Sequence, residues 1–147
     1  MRSLLAVAVF VLVPFAATNF DGEAEFFLVS EGYVPLEGWR GMSSLHRRVL
    51  RPESLTPIRV KTSRLDTFVI EQSLRLDRLA LWIDVEGKGY EVIEGAAGLV
   101  DRVQLCHIET ETSACITDEQ RFYGDLKAML ESHGFMELAT DRRTSAT

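Results

Sequence analysis

Residues 79–96 read Leu79-Ala-Leu-Trp-Ile-Asp84-Val-Glu86-Gly87-Lys-Gly89-Tyr-Glu-Val-Ile-Glu-Gly95-Ala96, and they carry the clearest structural pattern in the sequence. Its apolar start, Leu79 to Ile83, predicts a strand that is buried on both faces. Acidic residues and glycine follow at once and predict a loop. Apolar residues then recur at helical spacing, which predicts a short helix whose apolar face holds Tyr90, Ile93, Ala96 and Ala97. The stretch is therefore a strand–loop–helix unit, and ligands of open α/β sheets bind at the carboxyl ends of such strands.

Carboxylates follow two of the predicted strands. Asp84 and Glu86 come after the first, and Glu109 and Glu111 lie at the end of the strand predicted over 103–109. Because neighbouring parallel strands end at the same edge of a sheet, we expect these side chains to converge there. Carboxylates in that position can orient a hydroxyl and accept its proton. The alternative for each is stabilisation of a helix N-terminus, and His107 is expected to be a core or sheet residue rather than a base.

The same stretch resembles the signature of FkbM-type S-adenosylmethionine-dependent methyltransferases. Ile-Asp-Val-Glu-Gly at 83–87 and Glu-Val-Ile-Glu-Gly-Ala at 91–96 carry the resemblance. Trp82 stands where the family usually has lysine, and Gly89 where it usually has a second glutamate. The resemblance implies S-adenosylmethionine as cofactor and O-methylation of a small molecule or sugar. It also implies Asp84, Glu86 and Glu109 as the catalytic residues.

Three flanking segments match the family as well. Residues 13–27 resemble a strand ending in alanine, an Asp-Gly turn at 21–22 and a second strand, and Ala17 is the one residue expected to contact the donor. Residues 43–45 resemble a Ser-Ser-Leu element, although a turn-forming serine pair would look the same. Residues 64–68 resemble the start of a short helix, with Asp66 as its N-cap.

The donor-binding part of the family is missing from this sequence. Methyltransferases of this fold hold the donor with a glycine-rich turn and a later acidic residue, whereas residues 1–12 contain neither glycine nor a carboxylate. The resemblance covers roughly residues 9–139, the C-terminal two-thirds of such a domain. We therefore expect one truncated FkbM-like methyltransferase domain over 1–147, with a frayed tail at 140–147.

The expected fold class is α/β. It is an incomplete Rossmann-like class I methyltransferase sheet with mostly parallel central strands, flanking helices and a β-hairpin insert. A sheet cut beside its central strands exposes unpaired edges. An alternative function is therefore a non-catalytic fragment or interaction module that completes a sheet with a partner chain or with itself.

The amino-terminal run from Leu4 to Ala17 has two interpretations. It imitates a secretory signal peptide, which would make the chain a small secreted binding protein. The cleavage site is poor, however, and the alternating valines of residues 7–13 suit a core strand. We expect the strand and hence a cytoplasmic protein. The run is too short to span a membrane.

Composition narrows the partners further. The formal charge of −6 argues against a nucleic-acid binder, and the basic run at 46–48 with Arg51 is expected to be a solvated loop face. The two cysteines, Cys106 and Cys115, form no metal-binding motif, so no metal site is expected. Both thiols are expected to be reduced, with one disulfide between them as the alternative.

The remaining elements follow from local patterns. Frequent glycine and proline residues predict a loop over 32–41 and a connector over 52–57. Alternation predicts a strand over 58–62. An apolar stripe predicts a helix capped by Asp118 and ended by Gly134, and residues 135–139 are expected to form a last short strand.

Overall fold

The computed structural model describes residues 12–29, 43–47, 55–113, 117 and 119–141. Its elements, in chain order, are β1 Ala16–Ala17, β2 Gly22–Val29, β3 Leu55–Ser63, α1 Leu65–Glu71, β4 Leu79–Ile83, α2 Gly89–Glu94, a 3-10 helix Ala97–Arg102, β5 Val103–Ile108 and α3 Tyr123–Ser132. The described part of the chain is therefore mixed α/β, as the sequence predicts. No helix within these ranges has the length and apolar character needed to cross a bilayer.

The strands of the described residues form two sheets. β4 and β5 pair in parallel, with Ala80 opposite Leu105 and Trp82 opposite His107. The second sheet has the order β1-β3-β2, in which β1 is parallel and β2 antiparallel to β3. The Rossmann-like arrangement of one mostly parallel sheet is not confirmed for these residues, because their strands form two sheets and the second is mixed.

The Asp21–Gly22 turn connects two strands, as predicted, but these strands are not neighbours. β3 lies between β1 and β2, so the antiparallel pair of this fold is β2 with β3. The Asp21 carboxylate accepts hydrogen bonds from the Arg64 backbone N–H at 2.9 Å and the Thr67 hydroxyl at 2.8 Å. These bonds lower the pKa of Asp21 and fix the turn to the start of α1.

The buried core lies on one face of the parallel sheet. Ile83 of β4 packs with Val92 and Ile93 of α2 and with Leu126 of α3. The buried face of the helical segment contains Val92, which was not predicted, whereas the predicted Ala97 is exposed. The strand–loop–helix unit predicted from residues 79–96 is confirmed, and the core is built against it.

The opposite face of the parallel sheet is open, so the prediction that β4 is buried on both faces is wrong. Trp82 is 75% exposed and Leu105 of β5 is 52% exposed. An uninterrupted apolar run indicates a strand without indicating how many layers cover it. In the part of the chain that the structure describes, no layer covers this face.

Gly95 is required where β1 approaches the end of α2. A Cβ on Gly95 would lie 2.0 Å from the carbonyl oxygen of Thr18. The Gly95 carbonyl also accepts a hydrogen bond from the backbone N–H of Asp66 at 3.0 Å. The Gly-Ala pair at the end of the motif therefore joins the two sheets through backbone contacts that a side chain would prevent.

Asp66 is not the N-cap of α1. That position is Arg64, and Asp66 is the second helical residue. Its carboxylate accepts two hydrogen bonds from the Arg64 guanidinium, at 2.9 and 2.6 Å, and one from the Thr67 N–H at 2.8 Å. Its expected structural role at the helix start is thus retained with different partners.

Other local predictions have mixed outcomes. β3 begins at Leu55 inside the predicted connector, and residues 135–139 form no strand. Gly134 follows α3 with φ of 83°, which agrees with a glycine stop. α3 begins at Tyr123 with Phe122 at its N-cap position, so the prediction that Asp118 caps this helix is wrong. Most of the run at 4–13, the loop at 32–41 and Cys115 lie outside the described residues, although residues 12 and 13 are not in a strand.

Candidate active site

The carboxylates predicted from the sequence meet at the carboxyl ends of β4 and β5. The backbone N–H of Glu109 donates to the carbonyl of Ile83 at 2.9 Å, which continues the parallel ladder beyond the strands. This register brings the Asp84 and Glu109 side chains into hydrogen-bonding contact. The bond to Asp84 raises the pKa of Glu109, helped by partial burial and by the charges of Asp84, Glu86 and Glu111.

Like charges held this closely favour the protonated form of Glu109. A protonated Glu109 can donate to Asp84, whereas two ionised carboxylates repel one another. The raised pKa of Glu109 also makes its carboxylate a stronger base, which suits a group that accepts a proton during a reaction. The arrangement can therefore act as a general base at the rim of the sheet.

Glu111, which the sequence places near this end without assigning it a role, belongs to the same group of acids. Its charge adds to those that raise the pKa of Glu109. Its backbone carbonyl accepts the N–H of Tyr123 at 2.8 Å, so the start of α3 helps to fix the segment after β5. Within the described ranges, no group of three or more histidine, cysteine or acidic residues is arranged to hold a metal ion.

Glycines shape the turn between β4 and α2. Gly87 has φ of 75°, a left-handed conformation that glycine adopts without strain. A Cβ on Gly89 would lie 3.1 Å from the Cγ2 atom of Ile108 and 3.4 Å from the Glu109 carbonyl. Glycine at position 89, where the family usually has glutamate, thus lets α2 pack directly on the end of β5.

A segment far away in sequence holds the same turn. The Ser44 hydroxyl donates to the Glu86 carbonyl at 2.6 Å, and His46 Nε2 lies 3.2 Å from the Gly87 carbonyl. Both residues are buried. The prediction that His46 belongs to a solvated basic face is therefore wrong. The arginines at 47 and 48 made the whole run look solvent-exposed in the sequence. Only the resemblance of residues 43–45 to the Ser-Ser-Leu element indicated that this segment matters.

Trp82 and His107 form an aromatic pair on the open face of the sheet. Their ring centroids are 3.9 Å apart with 20° between the planes. His107 is a sheet residue, as expected, but it is exposed rather than in the core. The pair precedes Asp84 and Glu109 by two residues on each strand, so it lies on the same face as the two carboxylates.

Ala17 belongs to the second sheet. It pairs with Ser63 there, and its side chain packs against the core of α2 and α3. A separate cavity of about 390 Å³ is lined by Asn19, Arg64, Ile93, Glu94, Ala97, Met129 and His133. None of the three predicted catalytic carboxylates lines it, and donor contact by Ala17 stays a prediction.

The comparison with known families supplies an independent finding. Residues 4–136 match the family model described as the methyltransferase FkbM domain. The chain matches no curated protein and no solved structure. Among the described residues, the match spans both sheets, the three α-helices and the candidate site.

Proposed function

The chain belongs to the FkbM methyltransferase family, and we propose that it transfers a methyl group from S-adenosylmethionine to a hydroxyl of a small molecule or sugar. The observation that carries this proposal is the contact between Asp84 and Glu109 at the ends of adjacent parallel strands. A hydroxyl acceptor must lose a proton as its oxygen is methylated, and this pair supplies a site for that proton.

The charge of the site fits the proposed donor. S-Adenosylmethionine carries a sulfonium cation, and the negative charges of Asp84, Glu86, Glu109 and Glu111 favour a cation nearby. When bound, this group supplies an electrophilic methyl carbon whose bond to sulfur breaks as the bond to the acceptor oxygen forms. Asp84 and Glu86, on the turn after β4, are the residues proposed to face it.

Residues of this chain accept the proton and orient the acceptor hydroxyl in the proposed reaction. Glu109, made more basic by its neighbours, takes the hydroxyl proton, and Asp84 accepts a hydrogen bond from the resulting carboxylic acid. The same two carboxylates orient the acceptor hydroxyl before transfer.

Methyl transfer by the purified chain tests this function. The chain is incubated with S-adenosylmethionine labelled in its methyl group and a panel of polyols and sugars. Asp84→Asn and Glu109→Gln should each lower the rate by about 100-fold or more, the usual contribution of a general base. Glu25→Gln, which removes an exposed carboxylate on β2, should leave the rate unchanged. No transfer, together with no heat of donor binding in calorimetry at millimolar donor, would contradict the proposal.

The open face of the parallel sheet favours a second candidate function, self-association. Parallel sheets are almost always covered on both faces, yet Ala80, Trp82, Leu105 and His107 of this face are exposed. A second copy of the chain offers the same apolar surface, and identical surfaces pair through a two-fold axis.

Charge complementarity supports a second copy as the occupant. Arg75, Arg78 and Arg102 outnumber Asp77 and Asp101 at the amino ends of β4 and β5, whereas acids cluster at the carboxyl ends. A two-fold axis that lies between the two sheets, near the Trp82–His107 pair and perpendicular to the strands, would set the strands of the two copies antiparallel. The basic end of each sheet would then lie against the acidic end of the other.

A further inference from the structure

We propose that Ser44 and His46 are positioning residues that hold the Glu86–Gly87 turn and thereby set the contact between Asp84 and Glu109. The inference deepens the proposed methyl transfer and rests on it for its catalytic meaning. Its geometric part concerns only how one segment fixes another, and it can be measured without turnover.

Residues 43–47 are themselves anchored to the second sheet. The N–H of Phe27 donates to the Ser44 carbonyl at 2.8 Å, and the N–H of Ser44 donates to the Phe27 carbonyl at 3.2 Å. The N–H of His46 donates to the Ser44 hydroxyl at 3.0 Å. This hydroxyl is thus oriented by one backbone bond while it donates to the Glu86 carbonyl at 2.6 Å.

The Gly87 carbonyl lies in the turn before α2 and is bonded by the distant His46 ring. α2 begins at Gly89, and its Val92 N–H donates to the Lys88 carbonyl at 3.0 Å. Gly87 precedes that carbonyl and is buried. A buried carbonyl without a donor is costly, so the bond from His46 stabilises the turn at Gly87.

The chemistry of His46 suits this role. A carbonyl can only accept, so Nε2 of His46 must carry a hydrogen when it bonds to Gly87. Burial, followed by the charge of Lys88, lowers the pKa of His46, while Glu91, the Gly87 bond and Glu119 act in the opposite direction. A neutral ring with hydrogen on Nε2 therefore donates to the turn without adding a buried charge.

The two bonds act on the site through the backbone. Asp84 and Glu86 flank Val85 at the end of β4, and the Glu86 carbonyl is the atom that Ser44 holds. Displacement of this carbonyl moves the Glu86 side chain and loosens the position of Asp84 relative to Glu109. Because both acids raise the pKa of Glu109, that pKa reports on the geometry of the turn.

The test titrates Glu109 by NMR in chains carrying ¹³C-labelled carboxyl groups. Ser44→Ala removes the hydroxyl, Ser44→Thr retains one, and Ser43→Ala is the matched control because Ser43 accepts the Val29 N–H at 3.2 Å and does not bond to the turn. We expect the pKa of Glu109 to fall in Ser44→Ala and to stay at the wild-type value in Ser43→Ala and Ser44→Thr. If Ser44→Ala fails to fold, His46→Ala, which removes the Gly87 bond and the buried ring but keeps the backbone N–H that bonds to Ser44, is titrated in its place.

Activity provides the second readout. If the chain transfers methyl groups, Ser44→Ala should lower kcat by about tenfold, as a small misplacement of reacting groups does, and leave KM nearly unchanged. A folded Ser44→Ala or His46→Ala variant whose Glu109 titrates as in the Ser43→Ala control would overturn the inference. A fall in the pKa of Glu109 without any methyl transfer in the wild type would retain the positioning role and reject the proposed function instead.

Discussion

At Gly95, only the hydrogen of a glycine fits beside the backbone at the end of β1. Gly95→Ala would place a methyl group 2.0 Å from the Thr18 carbonyl oxygen, a backbone atom that cannot move without shifting β1. We expect this substitution to lower the free energy of unfolding by about 3 kcal/mol or more, at the upper end for overpacking. Urea denaturation followed by circular dichroism measures the change.

Gly124→Ala is the matched control for that substitution. Gly124 lies inside α3, and a Cβ there would meet no atom within 4 Å. Alanine is favoured over glycine in a helix by about 1 kcal/mol, so this variant should be slightly more stable than the wild type. Equal stabilities of the two alanine variants would contradict the close approach at Gly95.

At the scale of elements, the start of α1 depends on an ion pair rather than on an N-cap. Hydrogen bonds from the Arg64 guanidinium, followed by those from the Gly98 and Thr67 N–H groups, lower the pKa of Asp66. A lowered pKa in the folded state stabilises the fold above the ordinary aspartate pKa, about 3.9. That stabilisation disappears as the pH falls through the folded-state value.

Asp66→Asn should therefore destabilise the chain more at pH 7 than at pH 3. The measurement is the free energy of unfolding of wild type and variant at both pH values. Asp101→Asn, an exposed aspartate in the 3-10 helix, serves as the control and should show little difference at either pH. An effect of Asp66→Asn that is the same at pH 3 and pH 7 would show that Asp66 acts through shape alone.

The elements were predictable where one local pattern determines them. The strand at 79–83, the helix after it and the strand at 103–108 follow from apolar spacing, and the convergence of Asp84 with Glu109 follows from parallel strand ends. The partners of strands were not predictable in the same way. β3 lies between β1 and β2, although the Asp-Gly turn suggests that β1 and β2 pair directly. A turn specifies that the chain changes direction, but it does not specify which strand pairs with each of its flanking strands.

Burial and distant contacts were the least predictable features of the candidate site. The apolar run containing Trp82 does not reveal that one face of the sheet is open. The basic run containing His46 does not reveal that this ring bonds to Gly87, 41 residues along the chain. Both features depend on which distant segments contact each other in the fold. The spacing of apolar and polar residues within one segment does not specify those contacts.

At the scale of the whole molecule, the open face predicts a dimer. Sedimentation velocity at about 100 μM, a concentration suited to weak association, should give a dimer for the wild-type chain. Trp82→Glu should give a folded monomer, because it places a charge in the apolar centre of the proposed interface. Met136→Glu is the control, since Met136 is 78% exposed, beyond α3, and this variant should remain dimeric. A monomeric wild type would contradict self-association through this face.

Asp84 and Glu109, from two adjacent strand ends, meet at one site, where Asp84 raises the pKa of Glu109. Titration of the Glu109 carboxyl by ¹³C NMR in the wild type and in Asp84→Asn tests it most directly. The pKa of Glu109 should lie above its ordinary value of about 4.3 in the wild type and fall toward that value in Asp84→Asn, because the variant removes the neighbouring charge. A Glu109 that titrates normally in the wild type and does not respond to Asp84→Asn would contradict the account.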